Sequence, residues 1–397
     1  MDLLQYTSLL QEVREALPVT AQRVYLNTGT FGPLPSVSAQ AIAERARIEM
    51  SEGRLPPTFL EREAIYQEAR TRIARLLHSD ATEIALTHST SEGLNIVCYG
   101  FDWQEGDEVI TTNHEHNSAL APLYQLRKRR SIAIRVADLG LKGDRPLAAA
   151  IKPLISSRTK LIVVSHISFK TGAVLDIPEL TSLAQRIQIP VLVDGAQSAG
   201  VLPLDLQTLG IDFYAIPMQK WLCGPEGTGA LYVRHSQQTQ PLSATYVRFF
   251  SLKEDKEVWQ YTSEARRLEW GGRQTAALAG QVASLRWLEE EVGYAWIYRR
   301  IAALHTYAWH TLQQFPNLRF LTPQPGCSGL LTFRLLGLDP EMVATTLRST
   351  YNIHLRTIKD WQALRISIGF FNTEDEIDAL AAALTSIIKS RRNEVMP

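Results

Sequence analysis

The chain has 397 residues, of which 45% are hydrophobic and 21% are charged, a balance that is ordinary for a soluble globular protein. This length exceeds what one hydrophobic core normally serves, so we expect two domains. Lys plus Arg equals 41 and Asp plus Glu equals 41, and a net charge of zero gives no reason to expect nucleic acid or an anionic membrane as a partner.

Hydropathy, the N-terminal stretch and the cysteines exclude further classes of protein. No apolar run approaches the ~20 residues that a membrane-spanning helix needs. The N-terminal stretch has helical spacing and early acidic residues, which does not resemble a secretory signal. Cys98, Cys223 and Cys327 are far apart and lack paired spacing, which argues against a disulfide framework or a zinc site. We therefore expect a cytoplasmic protein without a metal.

The predicted elements follow two patterns along the chain. Between about residues 80 and 235, short β-branched runs alternate with helical patterns, which predicts an α/β fold with a mostly parallel sheet covered on both faces. From about residue 275 onward, long amphipathic helices and a few strands predict a smaller α+β domain. The expected division is an N-terminal segment, 1–30, that packs near the small domain, a large domain, 31–270, and a small domain, 271–397.

In a mostly parallel sheet, ligands bind beyond the carboxyl ends of the strands, so polar residues after each apolar run are the candidates. The first such stretch, 88–95, places Ser89, Thr90 and Ser91 at the start of a helix. Hydroxyls and backbone N–H groups at a helix N-terminus suit a phosphate. Ser89 and Glu92 also have the spacing of a capping box, and both interpretations can hold together.

The next candidates along the chain are a histidine and an aspartate. His116 comes just after the strand that ends near residue 112, where an imidazole could stack on a flat ring or transfer protons. A purely structural histidine is the alternative. Asp194 ends the apolar run 191–194 and could pair with a cationic ring nitrogen, and Gln197 could donate to a nearby phenolate. An N-cap for the following helix is the alternative for Asp194.

Lys220 follows an apolar strand and precedes a glycine-rich turn within the stretch 216–233. Such surroundings desolvate an amine and lower its pKa, as a lysine that binds a carbonyl group covalently requires. A connection that carries an incidental lysine is the alternative. Farther on, Arg356 and Arg365 bracket an eight-residue stretch, and Arg365 is expected to open a strand. Guanidinium groups suit bidentate binding of carboxylates, although surface salt bridges are equally common for arginine.

A carbonyl-binding lysine, an aspartate for a pyridinium nitrogen, a phosphate-binding helix start and a stacking histidine together describe one cofactor, pyridoxal 5'-phosphate (PLP). From "YLNTGTFGPLP" (25–35) to "RISIGFFNTEDEID" (365–378), the chain resembles the class V aminotransferase group of fold-type-I PLP enzymes. Within this group it is similar to the cysteine/cystine C–S lyases, with isopenicillin-N-epimerase-like proteins close by. The resemblance implies a large, mostly parallel seven-stranded sheet domain and a smaller C-terminal domain.

The resemblance also implies roles for individual residues. Lys220 would bind the cofactor covalently, and Asp194 would keep its ring nitrogen protonated. Gln197 would contact the phenolic oxygen, and His116 would stack on the ring. The remaining implied contacts are the phosphate ligands Ser89, Thr90, Ser91 and Gln219, the carboxylate-binding Arg365 and Arg356, and a substrate contact from Asn27. Two arginines could bind the two carboxylates of a substrate such as cystine.

Members of the group are typically homodimers with the active site at the subunit interface. The segment 267–275 would then reach the partner, with Gly272 where many members have threonine. A second departure is Pro217, which stands where many members carry a hydroxyl residue. These departures are the only support for a non-catalytic relative with the same fold. Otherwise the sequence predicts a PLP-dependent enzyme that acts on a small amino acid.

The absence of a suitably placed cysteine indicates which reaction to expect. A cysteine desulfurase needs a nucleophilic cysteine, and the stretch between Arg356 and Arg365, where one branch places it, contains none. Phe169 stands where desulfurases tend to carry asparagine. β-Elimination needs no protein nucleophile, because Lys220 can serve as the base. We therefore expect C–S bond cleavage that yields pyruvate and ammonia, with transamination or epimerisation as the alternative.

Overall fold

The computed structural model describes residues 3–238, 252–255, 258–261 and 264–395. In these ranges the helices are α1 (Leu3–Ala16), α2 (Ser36–Glu52), α3 (Pro56–Leu77), α4 (Thr90–Gly100), α5 (Asn117–Arg130), α6 (Leu147–Ile151), α7 (Ile177–Arg186), α8 (His235–Gln238), α9 (Thr275–Arg286), α10 (Tyr294–Leu312), α11 (Pro340–Tyr351) and α12 (Glu374–Val395). The strands are β1 (Val24–Tyr25), β2 (Ile84–Thr87), β3 (Glu108–Thr112), β4 (Ala133–Ala137), β5 (Thr159–Ser165), β6 (Val191–Asp194), β7 (Phe213–Pro217), β8 (Gly229–Val233), β9 (Leu252–Asp255), β10 (Val258–Tyr261), β11 (Leu318–Phe320), β12 (Leu330–Leu335), β13 (Ile353–His354), β14 (Arg356–Ile358) and β15 (Ala363–Ser367).

The largest sheet has seven strands in the order β2-β8-β7-β6-β5-β3-β4. Strand β8 is antiparallel to both of its neighbours, and the other pairs are parallel. Alternate residues enter two separate cores. Ile162 and Val164 of β5 pack on one face, whereas Leu161 and Val163 pack on the other. Burial on both faces explains the near-continuous β-branched runs, and it confirms the predicted mostly parallel sheet.

A second, antiparallel sheet has the order β11-β12-β15-β14. Its inner face, which includes Leu331, Phe333 and Ile366, forms a core with residues of α10, α11 and α12. Strand β1 pairs in parallel with β13, and Asn27 forms a single bridge with Ser367 of β15. The segment after α1 therefore lies against the C-terminal part of the chain, although its sequence position is at the opposite end.

Helix ends follow the local sequence. His116 caps α5, and four cations, Arg127 to Arg130, fill its last turn, where they interact favourably with the helix dipole. This position accounts for the run of four cations. In the described part of the chain, no helix combines the length and the apolar character that crossing a bilayer requires.

Candidate active site

A cavity of about 220 Å³ opens beyond the carboxyl ends of β5, β6 and β7. Concave sites with a few convergent polar groups are where small ligands bind. Most of the predicted site residues line this cavity, namely Ser89, Thr90, Ser91, His116, Asp194, Gln197, Gln219, Lys220 and Arg356. The structure therefore brings together side chains that are up to 267 positions apart, the separation of Ser89 and Arg356 in the sequence.

Lys220 lies after β7, and the carboxyl end of β6 supplies Asp194. The pKa of Lys220 is lowered to about 8, mainly by burial, with the charge of Asp194 acting in the opposite direction and the guanidinium groups of Arg365 and Arg356 acting in the same direction as burial. Burial likewise raises the pKa of Asp194, against the opposing effect of Lys220. The Asp194 Oδ1 atom accepts a hydrogen bond from the backbone N–H of Ala196 at 2.9 Å. The lysine can therefore lose its proton close to neutral pH, as a covalent ligand or a base requires.

A loop from the N-terminal part of the chain closes over Lys220. The backbone N–H of Gly32 donates to the carbonyl oxygen of Gln219 at 2.7 Å. A Cβ atom on Gly32 would lie 1.9 Å from the carbonyl oxygen of Lys220. Only glycine permits this approach of two backbone segments. The carbonyl oxygen of Lys220 also accepts a hydrogen bond from the N–H of Cys223, which has a φ of 51°.

The N-terminus of α4 forms one end of the cavity. Ser89 caps the helix by accepting from the N–H of Glu92 at 3.2 Å, as predicted. The carboxylate of Glu92 accepts from the N–H of His88, one residue before the position that a capping box requires. The Thr90 Oγ1 atom is buried and has no hydrogen-bond partner among the described residues. A buried hydroxyl without a partner is costly, so a phosphate group at this helix end fits the residues present.

His116 is held as a neutral ring. Its Nδ1 atom accepts from the N–H of Ser118 at 3.1 Å, so the other ring nitrogen, Nε2, carries the proton. Burial lowers the pKa of His116 to about 4, and the charges of Lys220 and Arg356 act in the same direction. The ring meets Phe169 edge to face, with 4.8 Å between the centroids. The cap and the aromatic contact together fix the ring at the cavity wall, where stacking on a cofactor stays a prediction.

Both the nitrogen and the oxygen of the Gln197 amide form hydrogen bonds within the protein. Its Nε2 atom donates to the carbonyl oxygen of Gly29 at 2.9 Å, and its Oε1 atom accepts from Nε1 of Trp221 at 2.9 Å. One Nε2 hydrogen remains for a ligand in the cavity. The two bonds fix the orientation of the amide, because Trp221 can only donate.

Arg356 and Arg365 are directly opposite each other on β14 and β15. Arg365 is fully buried in the middle of β15, since this strand begins at Ala363, two residues earlier than expected. Its Nη1 atom donates to the carbonyl oxygen of Phe169 at 2.7 Å, and burial lowers its pKa to about 9, with Arg356 as a second cause. Within the described ranges, neither guanidinium forms an ion pair. This arrangement provides positive charge for an anionic substrate group.

Three predicted residues lie outside the cavity lining, and one of them is the buried Arg365. Asn27 is one layer behind, where its Oδ1 atom accepts from Oγ1 of Thr30 at 2.7 Å. Gly272 has a φ of 73° and lines two other cavities, one beside Arg45 and one beside His88. In its own chain it does not reach Lys220, and a contribution to a partner subunit stays a prediction.

The sequence analysis missed six residues of the cavity wall, namely Thr30, Phe31, Ser118, Ser165, Ile167 and Ala196. Ser165 ends β5 beside Asp194, so the rule that identified Asp194 would also have found it. Behind it lies Glu115, a buried carboxyl that accepts from the hydroxyls of Thr112 and Ser165. Burial raises the pKa of Glu115 to about 7.

The chain is similar to several known proteins over nearly its whole length. It is 29% identical to a probable cysteine desulfurase of Methanothermobacter thermautotrophicus, an alignment that covers 95% of this chain and 98% of that protein. It is also 29% identical to the isopenicillin N epimerase of Streptomyces clavuligerus, with coverage of 95% and 98%. Among solved structures, the cystine C–S lyase C-DES in complex with its product cysteine persulfide matches with a TM-score of 0.87 and 28% identity, covering 93% of this chain and 98% of that chain.

Another structure of C-DES holds glycine covalently linked to its PLP cofactor and matches with the same TM-score of 0.87. These similarities confirm the predicted fold class, with a large sheet domain and a smaller C-terminal part. They also confirm the predicted relationship to C–S lyases. A profile of the family described as Aminotransferase class-V matches residues 58–380, which is most of the chain. The chain therefore belongs to the Aminotransferase class-V family and is a PLP-dependent enzyme.

Proposed function

We propose that the enzyme catalyses β-elimination from cysteine- or cystine-like amino acids, cleaving the C–S bond to give pyruvate, ammonia and a thiol or persulfide. The observation that carries this proposal is that the cavity contains a lysine and an aspartate but no thiol. None of the three cysteines lines the cavity. Elimination requires a base and a polarised substrate, whereas transfer of sulfur to the protein requires a nucleophilic cysteine.

The state of the thiols supports this choice. Burial raises the pKa values of Cys98 and Cys223 to about 12, and burial also raises the pKa of Cys327. Only the thiolate is an effective nucleophile, so these three groups are poorly suited to accept sulfur. The turn between β14 and β15, where one branch of the desulfurases carries its cysteine, instead carries Trp361. The ring of Trp361 contacts the ring of His114 edge to face, with 5.4 Å between the centroids.

Five polar residues of the site have tasks in the proposed reaction. The bound cofactor would supply an electron sink for the carbanion formed at the substrate Cα atom. The amine of Lys220 would remove the proton from that carbon, and the carboxylate of Asp194 would hold a proton on the pyridine nitrogen. Thr90 and the N-terminus of α4 would bind the phosphate. Arg356 and Arg365 would supply positive charge for the carboxylate groups of the substrate.

Incubation of the purified enzyme with cystine tests the proposal. We expect PLP-dependent formation of pyruvate, and none from the Lys220→Ala variant. A triple Cys98→Ala, Cys223→Ala, Cys327→Ala variant that keeps its cofactor should release pyruvate at close to the parental rate. Absence of pyruvate from the parental enzyme would contradict the elimination reaction.

Cysteine desulfuration is the second candidate, because this name is given to several relatives, including the one from Methanothermobacter thermautotrophicus. In that case alanine rather than pyruvate would be formed from cysteine, and a persulfide would appear on a cysteine of the protein. Replacement of Cys327, the least buried of the three cysteines, would abolish formation of this persulfide.

Transamination or epimerisation is the third candidate, with the similarity to isopenicillin N epimerase as its support. Conversion of the cofactor to its amine form by an amino donor would identify transamination.

We also propose that the enzyme is a cytoplasmic homodimer in which residues 267–275 reach the active site of the partner. The support is that Gly272 and Trp270 lie at an exposed surface next to Ser89, whose helix forms the phosphate end of the cavity. The mass in solution, measured by light scattering, tests the dimer. Residues 1–30, 31–270 and 271–397 remain the proposed domain division.

A further inference from the structure

Arg356, which lines the cavity, and the fully buried Arg365 converge on one hydroxyl group. The Thr30 Oγ1 atom accepts from Nη2 of Arg365 at 3.2 Å and lies 3.5 Å from Nη1 of Arg356. Thr30 lines the cavity, and it belongs to the loop that follows β1, more than 320 positions away from either arginine. A single oxygen atom therefore links both guanidinium groups at the cavity wall.

The direction of these hydrogen bonds is fixed by Asn27. The proton of the Thr30 hydroxyl is donated to Oδ1 of Asn27 at 2.7 Å. Since a hydroxyl has only one proton, its lone pairs are left to face the two guanidinium groups. Asn27 is itself held in place, because its backbone bridges to Ser367 and its carbonyl oxygen accepts from the N–H of Thr30 at 2.9 Å.

This arrangement counteracts an electrostatic cost. Like charges directly opposite each other in an antiparallel pair repel, and Arg356 and Arg365 are such a pair. Arg365 is fully buried, and its Nε atom has no partner in the described part of the chain. The oxygen of Thr30 offers both cations one shared acceptor. A carboxylate placed beside it would complete the set of hydrogen bonds that the guanidinium groups can make.

We propose that Thr30 is a positioning residue that directs Arg356 and Arg365 towards a single carboxylate of the substrate. The inference rests on the proposed function only in that the substrate is an amino acid with a carboxylate. It also differs from the expectation that each arginine binds a separate carboxylate. Under this proposal, sulfur amino acids with one carboxylate bind as cystine does, and the second carboxylate of cystine is not required.

Thr28 provides a matched control for this residue. It lies two positions earlier in the same loop, is fully buried, and its Oγ1 atom has no hydrogen-bond partner among the described residues. Replacing either threonine with valine removes one hydroxyl and keeps the shape of the side chain. Only Thr30→Val removes the acceptor of the guanidinium groups. Thr30→Ser restores that acceptor with a smaller side chain.

The experiment compares propionate with propionamide as ligands of the PLP-loaded enzyme, by ligand-observed NMR titration. These ligands differ in charge and have no amino group, so they bind without reacting. We expect the parental enzyme, Thr28→Val and Thr30→Ser to bind propionate alike, within about threefold. Thr30→Val should bind propionate about tenfold or more weakly, because a hydrogen bond to a charged group is lost, with propionamide binding unchanged. In turnover, Thr30→Val should raise KM with little change in kcat.

Three results would overturn the proposal. Propionate could bind Thr30→Val as tightly as the parental enzyme, Thr30→Ser could be as defective as Thr30→Val, or the parental enzyme could prefer propionamide. Failure of the proposed reaction is a separate outcome. It would appear as a lack of pyruvate from cystine in an enzyme whose preference for propionate still depends on Thr30.

Discussion

Asp194 and Lys220 stand at the ends of neighbouring parallel strands, and each modifies the pKa of the other inside one cavity. The carboxylate raises the pKa of the lysine, the ammonium lowers the pKa of the carboxyl, and burial opposes both effects. Because burial is the larger cause for both residues, the net result is a lysine that is easily deprotonated. A cationic neighbour, in turn, favours the charged form of the buried aspartate.

This relationship predicts the effect of Asp194→Asn. The amide keeps the shape of the side chain but cannot balance a positive charge on the cofactor nitrogen. We expect at least a 100-fold loss of kcat, by analogy with the loss of other charged catalytic groups in buried sites. Borohydride reduction and peptide mapping should still find the cofactor on Lys220. Activity within tenfold of the parental enzyme would contradict the role of Asp194.

The lowered pKa of Lys220 predicts how cofactor capture depends on pH. The neutral amine is the reactive form, and its fraction rises as pH increases through about 8. The rate at which cofactor-free enzyme takes up PLP, followed by absorbance, should therefore increase from pH 6.5 and level off above about pH 9. An ordinary surface lysine would give a rate that still rises at pH 10. Lys220→Ala should show no covalent uptake at any pH.

Buried neutral histidines predict loss of stability in acid. Burial lowers the pKa values of His116, His166 and His305 to about 4, below the ordinary value of 6.5. Between these pH values the unfolded chain binds more protons than the folded one, so stability is full above about pH 6.5 and falls as pH approaches 4. One such histidine contributes up to about 3 kcal/mol to this loss.

The variant His305→Gln separates this contribution from that of the carboxylates. The ring of His305 donates to the carbonyl oxygen of Leu330 and accepts from the N–H of Gly326, and it lies outside the cavity. The variant should be less stable than the parental enzyme at pH 7, but its unfolding free energy in urea should fall less between pH 6.5 and 4.5. Parallel pH curves for the two proteins would contradict the assignment.

The close approach of Gly32 to Lys220 predicts a defect from a single methyl group. The Cβ atom of Gly32→Ala would clash with the carbonyl oxygen of Lys220, so either the loop or the lysine must move. We expect a loss of about 2 kcal/mol or more in unfolding free energy and weaker retention of PLP on dialysis. Thr28→Val, in the same loop, should retain the cofactor. Full cofactor retention by Gly32→Ala would show that the contact is not needed.

Features with a local cause could be predicted from the sequence. The helix start at Ser89 and the position of Asp194 follow from capping rules and from the placement of ligands at strand ends. The detail of the cap differed, because Glu92 binds the N–H of His88. Arg356 and Arg365 lie directly opposite each other because of the register between β14 and β15. The sequence pattern of two such short strands does not determine their register.

The role of Thr30 had no signal in the sequence. Its partners are separated from it by more than 320 positions, and a threonine in a glycine-rich turn is unremarkable. Only the packing of the loop after β1 against β15 brings them together. Gln197 is a similar case, since its bonds to Gly29 and Trp221 come from elements that lie on either side of it in the chain.

The pairing of β1 with β13 also has a consequence for the order of assembly during synthesis. Asp194 ends β6 and Lys220 follows β7, and both strands, with their neighbour β8, can form once the residues up to Val233 have left the ribosome. Arg356 and Arg365 emerge later, and they meet Thr30 only when the loop after β1 packs against the C-terminal part of the chain. Because domains tend to fold as they emerge, a nascent enzyme would acquire the ability to hold its cofactor before the ability to choose a substrate.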